Sequence, residues 1–129
     1  MLFGYQSLNI ELIRKYNIIP TVNNIDELNF YTKEKINCAL EIDSGMNRFG
    51  TKEFDEQILN NSYIIEIYTH LYKKTKDNFK VIEYIKILAD KYNKYFHIGG
   101  SIAYEYTNYP IRIAYMIYEN CDSLVGKIV

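Results

Sequence analysis

The feature that most constrains the fold is the alternation of short apolar segments with helical ones along the 129 residues. Segments of this length, joined by stretches with helical periodicity, predict parallel βα units. Most of the apolar segments are continuous runs, as expected when helices cover one face of a sheet and a barrel interior covers the other. The predicted strands are residues 1–4, 18–21, 36–43, 63–70, 95–98 and 111–118.

Four helices are predicted between these strands. The clearest runs from Asn78 to about Lys94, where one stripe of apolar side chains recurs at helical spacing. Another follows Ser7 and closes at Asn17, and a third opens with Asn24 and Glu27 as a capping pair and buries Ile25 and Leu28. The fourth is a short helix over residues 51–59, with Phe54 and Ile58 turned inward.

Composition indicates one soluble domain over residues 1–129. The chain is 48% hydrophobic and 24% charged, with a formal net charge of -1. A charge this close to zero, without a basic stripe, argues against nucleic acid as a partner. No apolar run is long enough to span a bilayer, and no signal peptide is recognisable. Cys38 and Cys121 lie far apart and are expected to be free thiols in a reducing cytoplasm.

Polar groups follow the predicted strands at the end where a parallel α/β fold binds its ligands. Arg48 lies in a Gly-bounded turn after the third strand, His70 ends the fourth, and Arg112 lies in the sixth. Gly99-Gly100-Ser101 follows the fifth strand, and its glycines let the backbone approach a ligand closely. Two arginines, an imidazole and a glycine-serine turn on one rim suit a planar, anionic ligand that bears a phosphate.

Each of these features also has a purely structural explanation. A lone arginine near a strand end is commonly an ion-pair partner, and a lone histidine is commonly a hydrogen-bonded rim residue. Gly-Gly-Ser is commonly just a turn. His97 precedes the glycines and is expected to have a structural, supporting role. The combination of these residues in strand-end order is what indicates a site.

The same segments resemble the alanine racemase family. Glu41-Ile-Asp-Ser-Gly-Met-Asn-Arg-Phe-Gly50 is similar to the family's D-(T/S)-G-M-x-R-(L/F)-G segment. Tyr68-Thr-His-Leu71 resembles F-T-H-F/L, and His97-Ile-Gly-Gly-Ser101 resembles H-x-x-N/S-S. Ile111-Arg-Ile-Ala-Tyr-Met-Ile-Tyr118 resembles V-R-P-G-I-x-L-Y, and the order and spacing agree across nearly the whole chain. The alanine/serine racemases of vancomycin resistance are the most similar in character.

The resemblance implies a fold and a cofactor. The family has a pyridoxal 5'-phosphate barrel followed by an all-β domain and works as a dimer, so these residues would be an incomplete (β/α)8 TIM barrel. The chain resembles the later units of that barrel, without the first two units and the β domain. By the same resemblance it belongs to the cytoplasmic supply of D-alanine for peptidoglycan, with alanine or serine as the substrate.

Individual roles also follow from the resemblance. Arg112 would donate to the pyridine nitrogen, which keeps that nitrogen unprotonated and favours racemisation over transamination. His70 would hydrogen-bond to Arg112 and hold it in the plane of the cofactor ring, and Arg48 would lie beside the phenolic oxygen of the cofactor. The phosphate would be held by Ser101 and by the backbone N–H groups of Ala114 and Tyr115. The cofactor-binding set implied is Arg48, His70, Ser101, Arg112, Ala114 and Tyr115.

The sequence departs from the family where proton transfer is concerned. No segment like K-A-x-A-Y-G-H-G, which carries the Schiff-base lysine, occurs in the 129 residues, and the opposing tyrosine of the β domain has no counterpart. Lys33 and Lys35 precede the start of a strand, away from the rim. Ala114 occupies the position of a family glycine, and its Cβ is expected to crowd the phosphate loop. No catalytic residue and no metal ligand is therefore assigned, and covalent attachment of the cofactor through the family lysine is not expected.

Three interpretations remain. The chain is a split or truncated racemase that needs a partner chain, or a homo-oligomer, for the missing units. Alternatively, it is a non-catalytic remnant or a module that binds phosphate ligands weakly. A third possibility is another pyridoxal-barrel protein, such as a decarboxylase or a cofactor-homeostasis protein, but the Met-x-Arg-x-Gly segment followed by Thr-His favours the racemases.

Overall fold

A computed structural model describes residues 10–47, 49–52, 54–71, 76–100, 103 and 109–112. Within these residues, five strands form one sheet in the order β1-β2-β3-β4-β5, and every neighbouring pair is parallel. This α/β architecture agrees with the parallel βα units predicted from the sequence. The elements are α1 (Ile10–Lys15), β1 (Thr21–Val22), α2 (Ile25–Lys33), β2 (Cys38–Ile42), a 3-10 helix (Glu56–Asn60), β3 (Ile64–His70), α3 (Lys76–Lys91), β4 (Tyr95–Gly99) and β5 (Ile111–Arg112).

Helix α3 and the strands beside it form the centre of the core. Its apolar stripe packs against β3 and β4, as the periodicity predicted. Burial of such a stripe removes apolar area from water, and each fully buried Leu or Ile contributes about 1.5–3 kcal/mol. The buried members on this side of the sheet are Ile67, Ile82, Ile85, Leu88, Ala89, Phe96 and Ile98.

Helix α2 begins as predicted but buries different residues. Asn24 is its N-cap, and its Oδ1 accepts a hydrogen bond from the Glu27 N–H at 2.9 Å. The Glu27 carboxylate accepts from the Asn23 N–H instead of from the cap residue. Leu28 is buried, but the predicted burial of Ile25 is wrong, since that side chain is 53% exposed and Tyr31 takes the inner position.

The predicted helix over residues 51–59 is also wrong. Thr51 instead forms a parallel bridge with Ile42, and its N–H donates to the Glu41 carbonyl at 2.9 Å. A backbone committed to that bridge cannot begin a helix, so the 3-10 helix starts later, at Glu56. Phe54 and Ile58 nevertheless pack against the core.

The predicted boundaries differ from the observed ones by a few residues. The strand expected over 36–43 is Cys38–Ile42, and the one expected over 18–21 is reduced to Thr21–Val22. The strand expected over 111–118 is described only for Ile111–Arg112, and the one expected over 1–4 lies outside the described residues. Among the described residues, no helix is both long and apolar enough to cross a membrane.

One face of the described sheet is polar, which corrects the prediction that most of the strands are continuous apolar runs. Cross-strand neighbours share a face, and the register aligns Glu41 with Tyr68 and Tyr68 with His97. The next row along the strands aligns His70 with Gly99 and Gly99 with Arg112. Helix α3 covers the opposite face, so the polar row lies on the side that a barrel would enclose.

Candidate functional site

The candidate site lies at the carboxyl ends of β3, β4 and β5. Because all strands are parallel, His70, Gly99 and Arg112 end their strands at the same edge of the sheet. The Leu71 N–H donates to the Gly99 carbonyl at 2.9 Å, and the Gly100 N–H donates to the Arg112 carbonyl at 3.1 Å. These two backbone bonds continue the ladder beyond the strand ends and fix the edge on which the side chains stand.

Arg112 and His70 contact each other across the intervening strand. The Arg112 Nη2 atom lies 3.4 Å from His70 Nδ1. A guanidinium only donates, so Nδ1 is the acceptor, and a neutral His70 carries its proton on Nε2. Two side chains on strands that are not neighbours therefore form one cationic, hydrogen-bonding unit at the rim.

Gly99 makes this contact possible. It lies in register between His70 and Arg112, and a Cβ at this position would be 2.7 Å from His70 Nδ1 and 3.0 Å from Arg112 Nη2. Its neighbour Gly100 has φ of 103°, and a Cβ there would be 2.4 Å from the Leu71 carbonyl oxygen. Both glycines are thus required by close approach, and Gly100 is required by its backbone conformation as well.

The turn after β2 is held by one carboxylate. Asp43 Oδ1 accepts from the N–H groups of Gly45, Met46 and Asn47 at 3.1, 2.9 and 3.0 Å. Gly45 and Asn47 both have positive φ, 93° and 54°, as this tight loop requires. Three amides on a single carboxylate oxygen fix the loop in which the motif arginine lies in the sequence.

The same turn is attached to its neighbours. Ser44 Oγ donates to the His70 carbonyl at 2.5 Å, which joins the turn after β2 to the end of β3. The Asp43 N–H donates to the Thr51 carbonyl at 2.9 Å and closes the loop on itself. Asp43 and Ser44 are therefore positioned beside the rim that carries His70.

Of the six residues predicted to bind cofactor, the structure brings His70 and Arg112 together. Arg48, Ser101, Ala114 and Tyr115 lie outside the described residues, and their placement stays a prediction. Cofactor binding by His70 and Arg112 likewise stays a prediction, although the contact expected between them is present.

Sequence reasoning missed a hydrogen-bonded cluster beneath this pair. Tyr68 is fully buried, and its hydroxyl donates to Glu41 Oε2 at 2.8 Å. The Thr21 Oγ1 atom lies 3.0 Å from the same hydroxyl. Burial, reinforced by the Glu41 carboxylate, raises the pKa of Tyr68, so the phenol keeps its proton and acts as the donor. The signal was the period of two in Glu66, Tyr68 and His70, which places polar groups on one face.

His97 has the supporting position expected from the sequence. Its Nδ1 donates to Glu66 Oε1 at 2.7 Å, and its ring stacks on Tyr68 with centroids 4.7 Å apart and an interplanar angle of 8°. Its Nε2 is buried with no hydrogen-bond partner among the described residues. With the proton on Nδ1, Nε2 carries only a lone pair, so no N–H donor of His97 is left unsatisfied.

Fold and site together define an α/β protein with a cationic, imidazole-bearing site at the carboxyl ends of parallel strands. Residues 1–107 match the family model of the alanine racemase N-terminal domain. The match covers most of the chain and includes His70, while Arg112 lies just beyond it. The chain belongs to the alanine racemase N-terminal domain family. No curated protein matches the chain.

The site contains donors that fit the cofactor of this family, pyridoxal 5'-phosphate. A pyridine nitrogen needs a donor in the ring plane, and Arg112, oriented by His70, offers permanently charged N–H groups at the rim. Gly99, which has no side chain, allows His70 to reach that guanidinium.

Proposed function

We propose that these residues form the cofactor-binding part of a pyridoxal phosphate-dependent amino-acid racemase barrel. The contact between Arg112 and His70 across Gly99 carries this proposal. Family membership supports it, because it gives the chain a racemase-like origin. The residues that would hold the cofactor are His70 and Arg112 together with Arg48, Ser101, Ala114 and Tyr115.

Arg112 would act on the pyridine nitrogen. A guanidinium donates hydrogen bonds and does not give up its proton near neutral pH, so the nitrogen facing it stays unprotonated. His70 accepts from Arg112 and restricts its rotation. Bound pyridoxal phosphate supplies an electron sink for the α-carbon of an amino acid, and an unprotonated ring makes that sink weaker, which favours racemisation.

The five parallel strands would be part of an incomplete (β/α)8 barrel. The polar face that carries Tyr68 and His97 would be its interior, and the rim with His70 its mouth. Racemisation of alanine or serine needs a lysine and an opposing base, and the 129 residues contain no lysine segment of the family type. A partner chain or a second copy would complete the site, in a cytoplasmic pathway of D-alanine supply.

A non-catalytic module that binds phosphate ligands weakly is the second candidate. Two departures favour it: the missing lysine segment and Ala114 at a family glycine position. In this alternative the rim still binds phosphate-bearing ligands, but the protein catalyses no reaction of amino acids. The two candidates differ in whether the pyridine ring, and not only the phosphate, contributes to affinity.

The test compares ligands on purified chain by equilibrium dialysis. The probe is 4'-deoxypyridoxine 5'-phosphate, which lacks the aldehyde and so cannot react with surface lysines. We expect saturable binding that weakens about 10- to 100-fold in Arg112→Leu, because one charge-assisted hydrogen bond contributes about 1.5–3 kcal/mol. Arg14→Leu is the matched control, since Arg14 pairs with Glu34 on the opposite side of the fold from the rim and should leave affinity unchanged.

Competition decides between the candidates. Inorganic phosphate as effective as the pyridoxine phosphate would indicate a phosphate module. Absence of saturable binding, or equal affinities in Arg112→Leu and Arg14→Leu, would refute the cofactor proposal. Racemisation is then tested by adding a polypeptide that carries the lysine segment and following D-alanine formation from L-alanine.

A further inference from the structure

The cluster beneath the rim spans the whole sheet. Tyr68 belongs to β3. Thr21 of β1 and Glu41 of β2 hydrogen-bond to its hydroxyl, and His97 of β4 stacks on its ring. Arg112 of β5 reaches the same ring, with its Cζ 5.9 Å from the ring centroid. One buried aromatic side chain therefore connects all five strands that the structure describes.

The tyrosine is fixed at its oxygen and at its ring. Glu41 is 3% exposed and accepts a hydrogen bond from the Tyr68 hydroxyl, while the Thr21 hydroxyl donates to the phenolic oxygen. The His97 ring lies parallel to the tyrosine ring, and Glu66 holds His97 in that orientation through Nδ1. A side chain held at both its tip and its face has one available rotamer.

The Tyr68 ring also makes a cation–π contact with the Arg112 guanidinium. A cation within about 6 Å of an aromatic centroid is attracted by the ring quadrupole, and this attraction strengthens where water is excluded. Tyr68 is 0% exposed, so water is excluded from its ring. His70 contacts the same guanidinium from β3, one pleat further along the strand.

We propose that Tyr68 is a positioning residue for Arg112: its buried ring, tethered by Thr21 and Glu41 and stacked on His97, holds the guanidinium in the orientation that it presents at the rim. Arg112 meets the ligand and Tyr68 acts through it. The consequence for ligand affinity rests on the proposed function, whereas the consequence for Arg112 order does not.

The test measures the order of the Arg112 side chain by ¹⁵N relaxation of its Nε–H group. The sequence has three arginines, so Arg112→Lys and Arg14→Lys spectra assign the signals. We expect an ordered Arg112 in the unaltered protein and an order parameter below about 0.6 in Tyr68→Leu. Tyr68→Phe, which keeps the ring and loses both hydroxyl contacts, should give a smaller decrease.

Controls separate positioning from general damage. Tyr84→Leu removes an exposed tyrosine that contacts Glu56 on the helix side, and it should leave Arg112 order unchanged. If Tyr68→Leu does not fold, Thr21→Val tests the tether at nearly constant volume and should lower Arg112 order slightly. Unchanged Arg112 order in the folded Tyr68 and Thr21 variants would overturn the proposal.

Ligand affinity gives the second readout. Tyr68→Leu should weaken 4'-deoxypyridoxine phosphate binding about three- to tenfold, in proportion to a lost cation–π contact, and Tyr84→Leu should not. If the unaltered protein binds no pyridoxine phosphate, the proposed function fails while the relaxation measurement still tests positioning. If binding occurs and is equal in Tyr68→Leu and Tyr84→Leu, positioning fails and the proposed function stands.

Discussion

Gly50→Ala should destabilise the turn after β2 more than any other single methyl group added there. A Cβ on Gly50 would be 2.4 Å from the Asp43 nitrogen and 2.7 Å from its Cα, whereas an ordinary contact begins at 3.4 Å. The atoms in the way are backbone atoms and cannot rotate aside, so the loop must move by about 1 Å.

The loss of stability in Gly50→Ala has two sources, overpacking and the weakening of backbone hydrogen bonds. Overpacking costs about 1–3 kcal/mol. The Asp43–Thr51 and Thr51–Glu41 backbone hydrogen bonds, both 2.9 Å, close this loop, and each contributes about 0.5–1.5 kcal/mol net. Partial loss of both brings the expected decrease in the free energy of unfolding to about 3 kcal/mol.

Urea denaturation followed by circular dichroism measures this decrease, with the m-value unchanged. Gly45→Ala is the matched control in the same loop. No atom lies within 4 Å of its Cβ position, so only its φ of 93° opposes alanine, at about 1–2 kcal/mol. A Gly50→Ala loss no larger than that of Gly45→Ala would refute the close approach of Gly50 to Asp43.

Three further predictions use the same measurements. Gly99→Val should separate His70 from Arg112 and weaken 4'-deoxypyridoxine phosphate binding at least tenfold. Gly99→Ala should have a smaller effect, because the His70 and Arg112 side chains can shift slightly. Ligand affinities in both variants equal to that of the unaltered protein would contradict the role of Gly99. Burial raises the pKa of Cys38 to about 12 against 9.0 for an ordinary thiol, so above pH 9 the unfolded chain loses a proton that the folded chain keeps. The Cys38 thiol should therefore lower the free energy of unfolding by about 2 kcal/mol between pH 8 and 10.5. Urea denaturation at a series of pH values should show a shallower decline for Cys38→Ala. Asn24→Ala should cost about 1 kcal/mol by removing the α2 cap, while Asn24→Asp should restore it; equal stabilities of the two variants would contradict the cap.

Local periodicity predicted the parts of the fold whose stabilising contacts repeat along one element. The stripe of α3 and the apolar strands around Ile67 and Ile98 are of this kind. The segment after Gly50 was mispredicted because its conformation is set by backbone hydrogen bonds between Thr51 and the end of β2, which local propensity does not describe. Tertiary pairing overrode a helix-compatible sequence.

The candidate site was predictable to the extent that it follows from strand ends. His70 and Arg112 are 42 residues apart, yet parallel strands bring them to one edge, and the sequence predicted that meeting. The cluster around Tyr68 was not predicted, because its partners Thr21 and Glu41 are 47 and 27 residues away. Its polar residues also alternate with Ile65 and Ile67, which gave the strand an apolar appearance.

The most direct test of the account is a crystal structure of the chain soaked with 4'-deoxypyridoxine 5'-phosphate. We expect the pyridine nitrogen of the ligand within hydrogen-bond distance of the Arg112 guanidinium, with His70 Nδ1 accepting a hydrogen bond from that guanidinium. A ligand bound elsewhere, or His70 and Arg112 on different edges of the sheet, would contradict it.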